Sequence, residues 1–294
     1  MKVDSRMGQI VLDGKMCAKN IEIGLKGKVD RLRQEGIVPT LATILVGDDK
    51  GSAMYVRMKA RACERVGILS KIVSLPATTT TEELLSVIDR LNRDPSVYGI
   101  LLQHPVPRQI DEMACFSAIA PDKDVDGVNP ISFGRYTMKL PSYISCTPLG
   151  VMRLLKIYEI ELSGKHACIV GRSPILGKPL SMLLLNENCT VTICHSKTKN
   201  LKEETSRADI VVGCVGSRNL IKDVKPGAIL IDCGYSDDNV GDIDIKCRDN
   251  ATAYTPIPGG VGPMTIAMLL EQTVKSAELS LYESNPNAKY FAKK

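Results

Sequence analysis

The chain has 294 residues, of which 44% are hydrophobic, and it carries a formal net charge of +5. This length is sufficient for two ordinary domains or one large one. The lysines and arginines are spread along the whole chain with no dense basic block, and no apolar run approaches the ~18 residues that a membrane span needs. We therefore expect neither a nucleic-acid partner nor a membrane.

Cysteine and histidine usage points to a cytoplasmic protein without a metal centre. The ten cysteines include no Cys-x-x-Cys pair, and residues 1–7 carry no apolar segment of the kind that a secretory signal requires. His104, His166 and His195 lie far apart, with none of the usual ligand spacings. We expect reduced thiols, a cytoplasmic location and no metal.

The first half of the chain alternates predicted helices and strands. Helices are predicted at 21–34, 52–66, 81–92 and 111–119, and strands at 40–46, 70–75 and 98–103. Gly36 and Gly67 provide stop signals for the first two helices. Such alternation indicates a parallel sheet with helices on both faces. The segment 121–148, with four prolines and little periodicity, is interpreted as loop and connection.

The second half restarts the same pattern after a bridging helix at 147–158. Strands are predicted at 166–170, 190–194, 209–215 and 228–233, and helices at 179–186 and 263–282. The polar tail after Ser284 is expected to fray. The chain is thus predicted to be an α/β protein in two parts.

A turn typical of dinucleotide-binding folds follows the strand at 166–170. Gly171 to Gly177 lead from that strand into a helix, where such folds bind phosphate with backbone N–H groups and the helix N-terminus. The spacing is not G-x-G-x-x-G, because Ser173 replaces the second glycine and the last glycine comes one residue late. An ordinary strand–helix turn explains this segment equally well when it is taken alone.

The end of the next strand favours NADP over NAD. NAD-binding folds often place an acidic residue there to hold the ribose hydroxyls, but this chain has Cys194-His195-Ser196-Lys197. Arg172 lies in the neighbouring turn. Arginine, serine and lysine suit a 2′-phosphate, and no acidic residue in this segment would repel one.

Tyr55 and Lys59 stand four residues apart on a predicted helix and therefore share one face. A phenol beside an ammonium group can orient it and help it to exchange a proton. Spacing alone favours a plain surface helix with an extended lysine. Short-chain dehydrogenases also use Tyr-x-x-x-Lys, but there it follows the nucleotide turn, whereas this pair precedes Gly171.

Three further segments are candidates for the same site. Gln103 ends a strand, and ligands of parallel sheets bind beyond the carboxyl ends of strands. Asp124 and Asp126 lie in a Gly-ended loop; it resembles part of a calcium loop without the remaining ligands, and a plain turn is the alternative. The segment 256–265 has three prolines and three glycines before a helix, so it either presents N–H groups to a ligand or is a rigid linker.

Together these motifs resemble one family, the bifunctional methylenetetrahydrofolate dehydrogenase/methenyltetrahydrofolate cyclohydrolases. The resemblance spans roughly residues 10–281. Its most specific pieces, in order, are YVRMK, PDKDVDG, CTPLG, VGRSPILGKP, CHSKT and PIPGGVGPMT. It implies oxidation of 5,10-methylenetetrahydrofolate by NADP, followed by hydrolysis of the methenyl product to 10-formyltetrahydrofolate. A monofunctional member, or a silent dinucleotide-binding regulator, remains an alternative.

The resemblance also implies roles for individual residues. Lys59 is the main acid/base group, Tyr55 packs beside the pterin, Gln103 hydrogen-bonds Lys59, and Asp126 accepts the pterin N–H groups. Further substrate contacts are implied for Ser52, Pro258, Gly259 and Gly262. Cofactor contacts are implied for Gly171, Arg172, Ser173, Ile175, Gly177, His195, Ser196, Val215, Gly216, Tyr235 and Thr265.

The resemblance implies a homodimer and two domains with a cleft between them. Residues 1–148 and 266–294 form the catalytic, folate-binding domain with a returning C-terminal helix, and residues 149–265 form a Rossmann-like NADP-binding domain. Two residues depart from the family pattern. His104 stands where leucine is usual, and Tyr235 stands where a smaller aliphatic residue is common.

Overall fold

A computed structural model describes residues 3–4, 8–234 and 238–284 of the chain. The strands are β1 (Val3–Asp4), β2 (Gln9–Val11), β3 (Thr40–Val46), β4 (Leu69–Leu75), β5 (Gly99–Leu102), β6 (His166–Val170), β7 (Thr190–Cys194), β8 (Ile210–Gly213), β9 (Ile229–Asp232) and β10 (Ala253–Tyr254). The α-helices are α1 (Gly14–Gln34), α2 (Lys50–Val66), α3 (Thr81–Arg93), α4 (Glu112–Ala118), α5 (Pro130–Thr137), α6 (Cys146–Ile157), α7 (Gly177–Asn186), α8 (Leu201–Arg207) and α9 (Val261–Ser284). A 3-10 helix spans Ile245–Asn250.

The chain divides into two compact units, which confirms the predicted two-domain α/β fold with parallel sheets. The three-stranded unit comprises Asn20–Tyr136, Leu140–Ile144 and Leu269–Lys294. The seven-stranded unit comprises Met1–Lys19, Thr137–Lys139 and Ser145–Met268. Residues 1–19 group with the seven-stranded unit because β2 is hydrogen-bonded to β10.

In the three-stranded unit the strand order is β4-β3-β5, and both pairings are parallel. The central strand β3 reads TLATILV and is buried along nearly its whole length, as expected for a strand with neighbours on both sides. Leu41, Ile44 and Leu101 are almost completely buried there. Since β3 and β5 run parallel, their carboxyl ends meet at one edge of the sheet, and Gln103 follows directly at that edge.

In the seven-stranded unit the order is β1-β2-β10-β9-β8-β6-β7, and only the β1–β2 pair is antiparallel. Strand β6 lies between β7, which follows it in sequence, and β8. Such a reversal of strand order opens a crevice at the carboxyl end of the strand where it occurs. Gly171, the first residue after β6, lies at this carboxyl end. The apolar packing around these strands includes Cys168, Val170, Cys194 and Leu230.

Several predicted boundaries were wrong. Helix α1 begins at Gly14, seven residues before the predicted start, and its added turns bury Cys17 and Ala18. The segment predicted as loop contains α5, which begins at Pro130. Proline suits the first turn of a helix because the backbone N–H that it lacks would have no partner within the helix there. Helix α8, the 3-10 helix and the short strands β1, β2 and β10 were not predicted.

All ten cysteines are free thiols, and eight of them are buried. Within the described ranges, no helix is both long enough and apolar enough to cross a bilayer.

Candidate active site

Lys59 and Gln103 form the central contact of the three-stranded unit's candidate site. The Lys59 Nζ donates a hydrogen bond of 2.9 Å to Gln103 Oε1, although 44 residues separate the two in sequence. Helix α2 presents Lys59, and the end of β5 presents Gln103. The predicted pairing of these two side chains is present in the structure. Lys59 is half-buried, so its ammonium group is partly withdrawn from solvent.

The Gln103 amide is held in one orientation. Its backbone N–H donates to the Ile44 carbonyl at 2.9 Å, which continues the β3–β5 ladder, and its side chain is buried. Its Nε2 donates to the His104 carbonyl at 2.7 Å. Because a carbonyl oxygen only accepts, the amide NH₂ must face His104 and the amide oxygen must face Lys59.

This orientation determines how Lys59 can act. An amide oxygen accepts an N–H from lysine in either protonation state, so one N–H remains directed at Gln103. The other positions on the nitrogen, including the lone pair of the neutral amine, point elsewhere. The pair thus fixes the nitrogen while leaving it able to gain or lose a proton.

Tyr55 and Ser52 lie on the same helix as Lys59 but differ in surroundings. Tyr55 is half-buried one turn before Lys59. Ser52 is buried in the first turn of α2, where its N–H donates to Asp49 Oδ1 at 2.7 Å. Backbone and hydroxyl hydrogen bonds from Ser52 lower the pKa of Asp49. Asp49 therefore caps α2 by accepting the Ser52 N–H, and the substrate contact of Ser52 stays a prediction.

The structure separates the two carboxylates of the KDVDG loop. Asp124 is fully buried and accepts the N–H groups of Val128 and Asn129, each at 3.0 Å. Burial raises the pKa of Asp124 to about 7, against the lowering effect of these hydrogen bonds. Asp126 is half-buried. Asp124 thus closes the loop, and the contact of Asp126 with the substrate stays a prediction. No cluster of potential metal ligands occurs among the described residues.

Glycine is required twice in the turn after β6. Gly171 has a φ of 136°, and a Cβ there would lie 2.5 Å from Cys214 Sγ and 2.7 Å from its carbonyl oxygen. A Cβ on Gly177 would lie 2.3 Å from the Gly171 carbonyl oxygen. The turn therefore folds back closely on the sheet before α7 begins. This close fit favours a phosphate-binding turn over an ordinary strand–helix connection.

Two further hydrogen bonds hold this turn. The Gly177 N–H donates to Ser173 Oγ at 3.4 Å, so Ser173 engages the first amide of α7. The Ile175 carbonyl accepts the Ser145 hydroxyl at 2.5 Å. These bonds hold the turn in place, and they leave Arg172 exposed.

Arg172 and Ser196 follow two paired strand ends. Val170 and Cys194 are partners in the β6–β7 register, and the Gly171 N–H donates to the Cys194 carbonyl at 2.9 Å. Both Arg172 and Ser196 are exposed. The arrangement places a guanidinium and a hydroxyl beyond adjacent strands, as recognition of a sugar phosphate requires. His195 Nδ1 accepts the Lys197 N–H at 3.1 Å and stabilises the loop that carries Ser196.

Asp242 is a structural residue of this unit that was not predicted. Its carboxylate is fully buried and accepts three backbone N–H groups, from Val215 at 2.5 Å, Gly216 at 3.2 Å and Ser217 at 2.6 Å. The amides of the predicted cofactor loop are therefore engaged by Asp242. Any cofactor contact of Val215 must therefore come from its carbonyl oxygen or from its exposed side chain. The sequence signal for Asp242 is weak, a Gly-Asp pair 25 residues later.

The proline- and glycine-rich segment lies in the seven-stranded unit and is well anchored. The Gly259 carbonyl accepts the Lys15 N–H at 2.8 Å, while Pro258 is exposed. Gly262 lies in the first turn of α9, where a side chain would meet open space. The Thr265 hydroxyl donates to Thr147 Oγ1 at 3.1 Å. Contacts of these residues with substrate or cofactor stay predictions, and Tyr235 lies outside the described residues.

Comparison with known proteins identifies both parts of the chain. Residues 12–126 match the model of the tetrahydrofolate dehydrogenase/cyclohydrolase catalytic domain. Residues 145–281 match the NAD(P)-binding domain of the same family.

Curated relatives include two bacterial proteins described as bifunctional protein FolD. That of Psychrobacter sp. (strain PRwf-1) is 59% identical over 278 residues, covering 91% of this chain and 96% of the relative. That of Marinomonas sp. (strain MWYL1) is 56% identical over 274 residues, covering 92% and 98%. The similarity therefore extends over nearly the whole length of these proteins.

Solved structures of the same family are similar to this chain over nearly its whole length. The bifunctional FolD enzyme, methylenetetrahydrofolate dehydrogenase/cyclohydrolase, from Campylobacter jejuni matches with a TM-score of 0.90 at 46% identity, covering 92% of this chain and 99% of that one. The methylenetetrahydrofolate dehydrogenase-cyclohydrolase of Trypanosoma brucei, complexed with NADP cofactor and inhibitor, matches with a TM-score of 0.89 at 36% identity, covering 93% and 98%.

Proposed function

Because the chain belongs to the tetrahydrofolate dehydrogenase/cyclohydrolase family, we propose that it performs both reactions of that family. In the first, 5,10-methylenetetrahydrofolate gives up a hydride to NADP and becomes 5,10-methenyltetrahydrofolate. In the second, water adds to the methenyl carbon, the bond to N5 breaks, and 10-formyltetrahydrofolate and one proton are released. The observation that carries the proposal is the hydrogen bond between Lys59 and the oriented amide of Gln103.

We assign the proton transfers of the hydrolytic step to Lys59. As a neutral amine it accepts a proton from the attacking water, and as an ammonium it donates one to N5 as the ring opens. Gln103 keeps the nitrogen at a fixed position through both states. Tyr55, one turn away on α2, supports the lysine and lines the substrate position, and Asp126 accepts the N–H donors of the pterin. Ser52, Pro258, Gly259 and Gly262 are proposed as further folate contacts.

The turn after β6 fits NADP. Gly171 and Gly177 leave no room for a side chain, and the turn between them leads into the N-terminus of α7, whose helix dipole favours a pyrophosphate. Arg172 and Ser196 suit the 2′-phosphate. Bound NADP supplies the hydride acceptor, and the protein aligns the two reactants, because hydride transfer needs no protein acid.

The function is tested by adding methylenetetrahydrofolate and NADP to the purified protein. Methenyl product and NADPH should appear together in the absorbance spectrum, and their absence would refute the dehydrogenase. Hydrolysis of methenyltetrahydrofolate is then assayed without NADP. A monofunctional member would show one activity only, and a silent regulator would show neither.

Removal of the proposed 2′-phosphate contacts should change the cofactor preference. In Arg172→Ala, kcat/KM with NADP should fall about tenfold to a hundredfold, the size expected for a lost charge-assisted hydrogen bond. The value with NAD should change little, because NAD lacks the phosphate. Steady-state kinetics with both cofactors measure the ratio, and Lys246→Ala, an exposed cation of the same unit, is the control. Equal losses with NAD and NADP would contradict the assignment.

We propose further that the chain acts as a cytoplasmic homodimer with folate derivatives as its small-molecule partners. Support comes from the family resemblance for the dimer, and from the modest, dispersed charge for the absence of a nucleic-acid partner. Light scattering of the purified protein would measure the oligomeric state, and a monomeric mass would refute the dimer.

A further inference from the structure

His104 lies between the catalytic pair and helix α4. Its backbone carbonyl accepts the Gln103 amide at 2.7 Å, and its ring Nδ1 lies 2.6 Å from Glu112 Oε1 in the first turn of α4. The His104 side chain is 47% exposed and that of Glu112 is 26% exposed, so the ring is accessible to solvent protons. A continuous set of bonds therefore runs from Glu112 through His104 and Gln103 to Lys59.

His104 contacts both Gln103 and Glu112, so its position affects the orientation of the Gln103 amide. The Gln103 amide is oriented only as long as the His104 carbonyl stays in place to receive it. The contact with Glu112 fixes that residue to the start of a helix. These bonds connect the His104–Glu112 contact to Lys59 Nζ through one amide.

We propose that His104 is a positioning residue for the hydrolytic reaction, and that protonation of its ring, through the pair with Glu112, strengthens the hold of Gln103 on Lys59. The inference rests on the proposed function, which assigns the hydrolytic proton transfers to Lys59. It predicts that hydrolysis carries a pH dependence specific to this ring.

The direction follows from the charges that face the ring. The hydrogen bond to Glu112 raises the pKa of His104, burial lowers it, and the charges of Glu112 and Asp126 raise it further. A raised pKa means that the charged pair is complete below about 6.5, the ordinary value for histidine, and weakens as the pH rises through the higher pKa of the folded protein. Hydrolysis should lose the His104 contribution over that range.

The first measurement is the pKa of the ring itself. The chain has only three histidines, so proton NMR can follow each ring, and His104→Gln identifies the His104 signal by its disappearance. Glu112→Gln should move the His104 pKa downwards, whereas Glu82→Gln, the same change in the first turn of α3, should leave it unchanged. An identical His104 pKa in wild type and Glu112→Gln would overturn the proposal.

The second measurement is hydrolysis of methenyltetrahydrofolate over the pH range of that titration. The ratio of kcat for wild type to kcat for His104→Gln should be about fivefold at low pH, the size that a partly exposed ion pair supports. The ratio should fall towards one as His104 loses its proton. In a Glu112→Gln background the ratio should stay near one at every pH, because the charged pair is absent. KM should change less than kcat, because the effect acts through Lys59.

The outcomes separate this inference from the proposed function. A wild-type protein without hydrolytic activity refutes both. A wild-type protein that hydrolyses its substrate, with a kcat ratio that does not vary with pH or a change confined to KM, overturns the role of His104 alone. A change in KM without a change in kcat would indicate that His104 acts on substrate binding through Asp126, the other charge that acts on the ring.

Discussion

Lys59→Ala is expected to abolish most hydrolysis of methenyltetrahydrofolate, with kcat lower by about 10²–10⁴-fold, the contribution of a positioned general acid–base. The physical reason is that the substitution removes the nitrogen that Gln103 holds, and the methyl group of alanine cannot transfer a proton. Hydride transfer should fall far less, because it depends on alignment of the two reactants and not on a protein proton. Both half-reactions are measured separately by absorbance, with NADP and with NAD in parallel.

Two further variants give this experiment its control. Lys59→Arg keeps the positive charge and a donor for Gln103, but a guanidinium does not release its proton in proteins, so hydrolysis should stay low. Arg57→Ala removes an exposed cation from the same helix and should behave as wild type. Hydrolysis at the wild-type rate in Lys59→Ala would refute the assignment and would show that another group transfers the proton.

Asp242→Ala is expected to destabilise the seven-stranded unit by ~3–5 kcal/mol. The substitution leaves the N–H groups of Val215, Gly216 and Ser217 without their buried acceptor, and each orphaned group costs about 1–3 kcal/mol before the loop rearranges. KM for NADP should rise at least about tenfold, because these residues form a predicted cofactor loop and small displacements there are costly. The chain has no tryptophan, so unfolding in urea is best followed by circular dichroism.

The matched variants are Asp242→Asn and Asp249→Ala. Asparagine keeps the size of the side chain and one accepting oxygen, so we expect a loss of stability between those of wild type and Asp242→Ala. Asp249 is exposed in the same unit, and its substitution should change the free energy of unfolding by less than about 0.5 kcal/mol. Asp242→Ala with the urea midpoint of wild type would show that water or a shifted loop replaces the carboxylate.

Local pattern was sufficient for the long, strongly periodic elements of this chain. The continuous apolar run of β3 and the strand–glycine–helix order at β6 and α7 were predictable, because burial of a parallel strand and the need for a close turn are both visible in residue types. Strands β2 and β10 were not, since they contain three and two residues and show no periodicity. Helix α5 was missed because proline and glycine, here tolerated in a short helix, usually indicate loops.

Part of the candidate site was also predictable from the sequence, and part was not. Tyr55 and Lys59 share a helix face by spacing alone, yet that spacing favoured a surface lysine until the resemblance supplied Gln103 as its partner. The orientation of the Gln103 amide depends on a carbonyl of the next residue, which no pattern of side chains encodes. Asp242 and Glu112 were missed because each acts through a contact that only the folded chain creates.

The pairing of β2 with β10 has a consequence for how the protein emerges from the ribosome. Gln9 Nε2 donates to the Arg248 carbonyl across a separation of 239 residues, and Ile10 pairs with Ala253. During synthesis β2 is therefore made long before its partner β10. Until then its N–H and C=O groups are an unprotected strand edge, open to pairing with other chains. We expect translation products that end before β10 to aggregate, and sequestration of nascent β2 until residue 253 has emerged should improve the yield of native protein.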